Sequence, residues 1–375
     1  MKYSKSEAKS WAREHVTGQW TTMVTPFTPQ DELDEKGLEA NVEHVLRLGT
    51  RGLGFSWNMG EFWSLTHEER LHLLDLVPRL VKGRALTAFQ ATGTSKKEVV
   101  SLCHRAEERG IDLAILASPY IMAKTEEQVI EFIRQIAAEV NNAIAFYNSP
   151  QFGITMSAKG LSRLADIPNL AVIKEASFNM QISLDTHFQA GSKAVISTPD
   201  EEIFFFEPFY GFHQQAMFAN TSDWRFDTPD SHNYVDFVNL ATSGKLEQAR
   251  PLYAKIWPVK SLSRRWWGRL VARSGGALPV QMVKYWGELM GMVGGPVRPP
   301  LVQMLEEEKQ ELREELSRLL PLATAPSSST ATPHSAPGPA MVVPSRPEKP
   351  PVIAHPPPGG GPPMRRPAKA RSSSD

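Results

Sequence analysis

Short apolar runs alternate with longer amphipathic stretches between residue 18 and about residue 220. Each run is apolar on both faces, which is typical of a parallel strand covered by helices. The stretches between the runs repeat apolar residues at the i, i+3 and i+4 spacing of a helix face. The eight runs are WTTMVTPF (20–27), GLGFSWN (52–58), RALTAFQAT (84–92), LAILASPY (113–120), AIAFYNSP (143–150), AVIKEAS (171–177), KAVISTP (193–199) and QQAMFAN (214–220).

Eight strand–helix alternations in about 200 residues predict a (β/α)8 TIM barrel, an α/β fold. An open doubly wound sheet is the alternative, but it usually has fewer strands, and no GxGxxG turn follows the first run. Thr66 and Glu69 form a capping-box pattern at one helix start, and Gly110 is typical of a helix end. The clearest helical stretches are 33–49, 65–81, 95–110 and 125–140.

Further helical stretches follow the barrel, and they predict a C-terminal helical addition that ends with an amphipathic helix over 301–320. After it the composition changes: residues 321–375 hold 15 of the 30 prolines and few large apolar side chains. We predict that this Pro/Ser/Gly-rich tail is disordered, serving as a solvated tail or as a proline-rich ligand for a partner. The predicted segments are an N-terminal extension (1–17), the barrel (18–225), the helical addition (226–320) and the tail (321–375).

Composition excludes several functions. Lys plus Arg equals Asp plus Glu at 41 each, so net charge favours neither a nucleic-acid nor a membrane-surface partner. Cys103 is the single cysteine, which rules out an intrachain disulfide and favours a cytoplasmic location. The histidines lack metal-ligand spacing, so we expect no metal. No apolar run reaches membrane-spanning length, and the charged N-terminus lacks an apolar signal core.

The candidate chemistry lies at the strand ends, where barrel enzymes hold their active sites. Lys174 lies within the apolar run AVIKEAS, and burial would lower its pKa and make the amine nucleophilic. Period-two alternation points Tyr147 inward on the preceding strand, where a phenol can transfer protons. Backbone N–H groups around Asn58–Gly60 can hold a carboxylate. The alternatives are a lysine paired with a carboxylate, a core tyrosine and a simple tight turn.

Six short motifs lie in order along residues 18–305. They are VTPF (24–27), Gly60-Glu61 followed by LTHEER (65–70), SPY (118–120), YNSP (147–150), VIKEAS (172–177) and VRPPL (297–301). Together they resemble the dihydrodipicolinate synthase / N-acetylneuraminate lyase superfamily. The resemblance implies a (β/α)8 barrel without cofactor or metal, in which Lys174 forms a Schiff base with a 2-keto acid such as pyruvate. It also implies proton transfer by Tyr147 and a homo-oligomer, usually a tetramer built as a dimer of dimers.

The chain departs from the family pattern on the side of the second substrate. Asn58 and Met59 replace the usual hydroxyl pair, so that the Asn58 amide and the backbone N–H groups of Met59 and Gly60 are left to bind the keto-acid carboxylate. Ile121 replaces a tyrosine that crosses the dimer interface, and residues 151–156 lack the arginine that binds the aldehyde's carboxylate. Gln215 is expected to place an amide beside the keto acid. These departures argue against lysine biosynthesis.

The region of these motifs is also rich in aromatic residues, which favours a bulky or aromatic aldehyde, as in the hydratase-aldolases of the superfamily. We therefore expect a carbon–carbon lyase that joins or cleaves a 2-keto acid and an aldehyde. The alternatives are a keto-sugar-acid dehydratase, which is a carbon–oxygen lyase, and a non-catalytic barrel with an interaction tail. The aromatic residues are Phe55, Trp57, Phe62, Trp63, Phe152 and Trp224, for which core packing is the alternative interpretation.

Overall fold

The computed structural model describes residues 2–219 and 223–323. Eight parallel strands form one sheet in the order β7-β6-β5-β4-β3-β2-β1-β8. The backbone N–H of Phe218 on the last strand donates to Ser197 Oγ on the seventh at 2.8 Å, so the sheet curls into a nearly closed barrel. The strands are β1 (Gly18–Thr22), β2 (Gly52–Phe55), β3 (Leu86–Gln90), β4 (Leu113–Ala117), β5 (Ala143–Asn148), β6 (Leu170–Glu175), β7 (Val195–Ser197) and β8 (Ala216–Phe218).

Helices follow the strands in alternation, and the predicted (β/α)8 fold is confirmed. The Thr66–Glu69 capping box is present at the start of α3. The helices are α1 (Ala8–His15), α2 (Glu35–Arg47), α3 (His67–Val81), α4 (Lys96–Glu108), α5 (Glu126–Glu139), α6 (Ala158–Leu164), α7 (Met180–Ala190), α8 (Ile203–Tyr210), α9 (Asn233–Ala241), α10 (Leu246–Arg273), α11 (Val280–Leu289) and α12 (Glu306–Ser317).

The apolar core has two layers, as the two-sided apolar strands require. One layer lies between the strands and the surrounding helices and includes Phe146 and Leu53. The other fills the barrel interior and includes Trp20, Tyr147 and Phe218. Alternation along β5 therefore separates Phe146 from Tyr147, with the tyrosine inside the barrel.

The N-terminal extension has a structural role that its sequence pattern did not reveal. Trp11 on α1 is buried in the barrel-interior cluster. The Tyr3 hydroxyl donates to the carbonyl oxygen of Asp112 and accepts from the backbone N–H of Ala143, both at the amino-terminal ends of their strands. These contacts place the extension at the amino-terminal end of the barrel, opposite the carboxyl ends of the strands.

The C-terminal addition contains α9 to α12, and its last helix begins at Glu306, five residues later than the pattern at 301–320 predicts. The chain remains packed beyond α12, since the backbone N–H of Ala323 donates to the carbonyl oxygen of Leu289. The predicted disordered tail falls almost entirely on residues 324–375, which lie outside the described residues. Within the described part of the chain, none of the helices combines the length and the apolar character needed to cross a membrane.

Candidate active site

Lys174 lies at the carboxyl end of β6, and it is the centre of the candidate site. Its register partner on β5 is Tyr147, and its partner on β7 is Ser197. Lys174 Nζ lies 4.6 Å from the centroid of the Tyr147 ring and 4.5 Å from that of the Trp57 ring. The predicted neighbourhood of Lys174 and Tyr147 is therefore present inside the barrel.

The electrostatic surroundings of Lys174 differ from those of the other buried lysines. Three lysines are buried in the described part of the chain: Lys174, Lys260 and Lys284. Lys260 Nζ lies 2.5 Å from Glu201, and Lys284 Nζ lies 2.6 Å from Glu61. Lys174 makes no ion pair with any described residue, and its one hydrogen bond is a 3.5 Å contact with the carbonyl oxygen of Ala219.

Because no carboxylate within the described ranges compensates its desolvation, burial lowers the pKa of Lys174 to about 7. A large fraction of the amine is then neutral at physiological pH, as a nucleophile requires. The alternative interpretation, in which Lys174 pairs with an interior carboxylate, finds no support among these residues.

Tyr147 keeps its proton at neutral pH. Its side chain is 5 % exposed, and burial raises its pKa above the ordinary value for a phenol. Phe152 packs edge-on against its ring, with the ring centroids 5.3 Å apart. A protonated phenol next to the Lys174 amine can donate a proton to an oxygen bound at that position and take it back.

The loop after β2 carries the predicted carboxylate-binding residues. Asn58, Met59 and Gly60 form a single 3₁₀ turn and are all buried. The N–H groups of Asn58 and Met59 open this turn, so they have no acceptor within it. The Gly60 N–H, also expected to bind the carboxylate, instead donates to the carbonyl oxygen of Trp57 at 2.8 Å. The carbonyl oxygen of Gly60 accepts a hydrogen bond from Thr25 Oγ1 at 2.8 Å. The side-chain oxygen of Asn58 is buried and has no hydrogen-bond partner among residues 2–219 and 223–323.

Glu61 anchors this loop through a buried ion-pair network that sequence reasoning missed. Glu61 has left-handed backbone geometry, with a φ of 54°, at the end of the 3₁₀ turn. Its Oε1 atom lies 2.6 Å from Lys284 Nζ, and its Oε2 atom accepts from the backbone N–H of Arg298 at 2.9 Å. The Arg298 side chain pairs with Glu69 at 2.7 Å. Glu61 lies more than 200 residues from Lys284 and Arg298 in the chain, so no local sequence pattern predicts this network.

An apolar cavity of about 280 Å³ opens beside Asn58 and Phe152. Because Phe152 contacts Tyr147, this cavity lies next to the candidate catalytic residues. Phe62, Trp63 and Phe152 are the predicted aromatic residues that line it. The remaining lining residues are Asn58, Tyr120, Gln151, Ala277, Leu278, Pro300 and Leu301.

Two of the aromatic residues expected in the pocket belong to the core instead. Phe55 points from β2 toward the helix layer. It shares this face of the strand with Leu53, and Gly52 and Gly54 lie on the other face. Trp224 is also buried in the outer layer, where its Nε1 donates to the carbonyl oxygen of Thr22 at 3.3 Å. For these two residues the core-packing interpretation is the correct one.

The expectation for Gln215 is corrected by its position on the barrel. Gln215 immediately precedes β8, so it lies at the amino-terminal end of the strands, opposite Lys174. Its side-chain amide donates to the carbonyl oxygens of Arg13 and Val16 on the N-terminal segment. Because Gln215 lies at the opposite end of the barrel from Lys174, its role is structural: it holds the N-terminal segment in place.

Three carboxylates after β7 form an acidic cluster, and two basic side chains lie within ion-pair distance of it. Oxygen atoms of Asp200, Glu201 and Glu202 lie within 4.8 Å of one another. Lys260 Nζ lies 2.5 Å from Glu201 and 2.6 Å from Glu202, and Arg264 lies 2.7 Å from Glu202. The geometry is that of an internal ion-pair network.

Barrel enzymes that hold a desolvated, nucleophilic lysine at the carboxyl ends of their strands include the lysine-dependent lyases. Residues 15–319 match the Dihydrodipicolinate synthetase family, and the chain belongs to that family. It is accordingly an enzyme, a lyase of the kind that forms a lysine imine.

Curated relatives named 4-hydroxy-tetrahydrodipicolinate synthase match most of the chain. The protein from Methanothrix thermoacetophila is 27% identical over 80% of this chain and 96% of its own length. The Bacillus subtilis protein is 26% identical over 80% of this chain and 98% of its own length.

Among solved structures, a dihydrodipicolinate synthase is 25% identical and superposes with a TM-score of 0.67, covering 81% of this chain and 99% of the other. YagE of E. coli K12, crystallised in complex with pyruvate, superposes with a TM-score of 0.69 at 21% identity. The match covers 81% of this chain and 98% of the YagE chain, and it supports the fold alone.

Proposed function

We propose that this enzyme is a class I aldolase that joins a 2-keto acid of the pyruvate type to an aldehyde, or cleaves their adduct, through an imine on Lys174. The observation that carries the proposal is the burial of Lys174 without a carboxylate partner in the described part of the chain. The names of the curated relatives, which are synthases of this family, support the same chemistry.

The reaction begins when the neutral Lys174 amine adds to the keto carbon. The carbonyl oxygen takes one proton from the amine and a second from Tyr147 and leaves as water, and a protonated imine that keeps the other amine proton remains on Lys174. Loss of a proton from the adjacent carbon gives an enamine. The enamine carbon then forms a bond to the aldehyde carbon, and hydrolysis of the new imine regenerates the amine.

The keto-acid carboxylate is assigned to the loop after β2. The Asn58 and Met59 N–H groups, which the 3₁₀ turn leaves without internal acceptors, and the Asn58 amide supply donors there. Gly60 permits the close approach of this loop to the segment after β1, because a Cβ atom at this position would lie 3.2 Å from the carbonyl oxygen of Met23. We assign these residues to substrate binding and Lys174 and Tyr147 to catalysis.

The aldehyde partner is assigned to the apolar cavity beside Phe152. Its lining by Phe62, Trp63 and Phe152 favours a bulky or aromatic aldehyde over a charged one. Residues 151–156 also supply no arginine for a carboxylate on the aldehyde. We therefore favour a hydratase-aldolase, in which water adds to an unsaturated keto acid before carbon–carbon cleavage.

Borohydride trapping tests the imine directly. The full-length protein is incubated with pyruvate, with 4-phenyl-2-oxobut-3-enoate or with a polyhydroxylated 2-keto acid, then reduced and mapped by peptide mass spectrometry. We expect an adduct on Lys174 with pyruvate and with the aromatic acid, and none on the equally buried Lys260 or Lys284. Trapping of the polyhydroxylated acid alone would favour the dehydratase, and no adduct on folded protein would contradict the proposal in favour of a non-catalytic barrel.

The proposal also covers the oligomeric state and the cellular location of the protein. Members of this family are usually oligomers, and we expect a dimer or tetramer of this chain in the cytoplasm. Light scattering of the purified full-length protein tests the oligomer, and a monomer at micromolar concentration would contradict it.

A further inference from the structure

The Trp57 ring covers one side of the Lys174 amine. Lys174 Nζ lies 4.5 Å from the Trp57 ring centroid, and Trp57 is 1 % exposed while Lys174 is 3 % exposed. The Tyr147 ring covers another side at 4.6 Å. The amine therefore lies between two aromatic rings in a site from which water is largely excluded.

This arrangement matters because the reaction places a positive charge on Lys174. As the amine nitrogen bonds to the keto carbon, the carbon–oxygen bond breaks. The oxygen takes one proton from the amine and one from Tyr147 and leaves as water, and the nitrogen keeps its other proton in the resulting iminium ion. Within residues 2–219 and 223–323, no carboxylate lies within ion-pair distance of this nitrogen. A buried cation needs a compensating partner, and a π face is one.

We propose that Trp57 is a catalytic residue whose indole face stabilises the iminium ion on Lys174 by a cation–π interaction. This inference rests on the proposed imine chemistry and adds a role that the amine's burial alone does not require. Trp is the most favourable ring for such a contact, and desolvation strengthens it. The interaction favours the charged imine over the neutral amine and keto acid, so it lowers the free energy of the intermediate relative to the reactants.

The sequence around Trp57 is built to admit the indole. Gly54 leaves the space that the ring occupies, because a Cβ atom there would lie 2.5 Å from Trp57 Cε2. Phe218 supports the indole from another side, with ring centroids 5.6 Å apart. The Trp57 Nε1 atom has no hydrogen-bond partner in the described part of the chain. The position of the indole is therefore set by packing, with its face toward Lys174.

The test compares matched variants of the full-length protein. Trp57→Leu removes the π face, Trp57→Phe keeps a smaller one, and Trp20→Leu removes an equally buried indole from the same interior cluster. Trp20 contacts Phe218 at 4.7 Å and makes no cation–π contact with Lys174 among the described residues. The readout is the pyruvate concentration that gives half-maximal borohydride-trapped adduct on Lys174 at pH 7.5.

We expect Trp57→Leu to raise this concentration by roughly 3- to 30-fold, Trp57→Phe to raise it less, and Trp20→Leu to change it less than about twofold. Circular dichroism checks that each variant is folded. If Trp57→Leu fails to fold, Trp57→Met replaces it with the same expectation.

A Trp57→Leu protein that traps pyruvate as the wild type does would overturn the inference and leave the proposed function intact. An equal loss in Trp20→Leu would also overturn it, because the effect would then reflect general packing. Absence of any adduct on the wild type would instead reject the proposed function, and the role of Trp57 with it.

Discussion

Glu61 and Lys284 form an ion pair of 2.6 Å in which the carboxylate is fully buried and the ammonium is 1 % exposed. The pair connects α11 to the loop that carries Asn58, Met59 and Gly60. It therefore links the C-terminal addition to the proposed carboxylate site.

Lys284→Met should destabilise the protein by roughly 3–5 kcal/mol, because it leaves Glu61 as a buried charge without its partner. The variant should also raise the KM for pyruvate more than it lowers kcat, since the loop positions a binding group. Urea denaturation and steady-state kinetics measure the two effects. Glu131→Gln, which removes an exposed ion pair with Arg134, is the control and should change neither.

Tyr147→Phe should lower kcat/KM by roughly 10²- to 10⁴-fold, because the variant lacks the phenol that transfers protons to and from the keto oxygen. The adduct with pyruvate should still form on Lys174 given a longer incubation, since the nucleophile is unchanged. Single-turnover trapping measures the rate. Equal rates for the variant and the wild type would remove Tyr147 from the mechanism.

Lys174→Met should stabilise the folded protein at pH 6, because burial lowers the pKa of Lys174 to about 7 and folding therefore desolvates a charge. The unfolded chain holds this proton more tightly than the folded one. The destabilisation by Lys174 is thus complete below pH 7 and fades as the pH rises toward the ordinary lysine pKa of about 10.4.

Thermal unfolding from pH 6 to pH 10 measures this dependence. We expect the Tm of Lys174→Met to exceed that of the wild type by at least about 2 °C at pH 6, and this difference to shrink as the pH rises. Lys260→Met is the matched control and should lower Tm, because it removes the partner that lies 2.5 Å from the buried Glu201. A uniform gain at every pH would contradict the explanation from desolvation.

Leu278→Glu should lower kcat/KM for aromatic aldehydes at least about tenfold, because it places a charge in the apolar cavity that also contains Phe152. Trapping of pyruvate on Lys174 should be unaffected. Leu319→Glu, at an exposed position beyond α12, is the control. If the variant kept the preference of the wild type for aromatic over aliphatic aldehydes, the aldehyde would have to bind outside this cavity.

Removal of residues 324–375 should leave Tm and activity unchanged, because the tail lacks the apolar residues needed for a core. The cut belongs after Ala323, since its N–H still bonds to Leu289 and Leu322 packs against the core. Loss of activity in the shortened chain would assign the tail a role in catalysis or assembly.

The sequence by itself determined the barrel, because two-sided apolar runs and amphipathic helices are local patterns that repeat with fixed periods. It also determined Lys174 and Tyr147 as neighbours, since adjacent strands and period-two alternation bring them together. Only the tertiary structure decided what surrounds them. Burial of Lys174 without an ion pair, the Glu61–Lys284 pair and the separation of Gln215 from the site depend on residues far apart in the chain, and their distances are set by packing of the whole barrel.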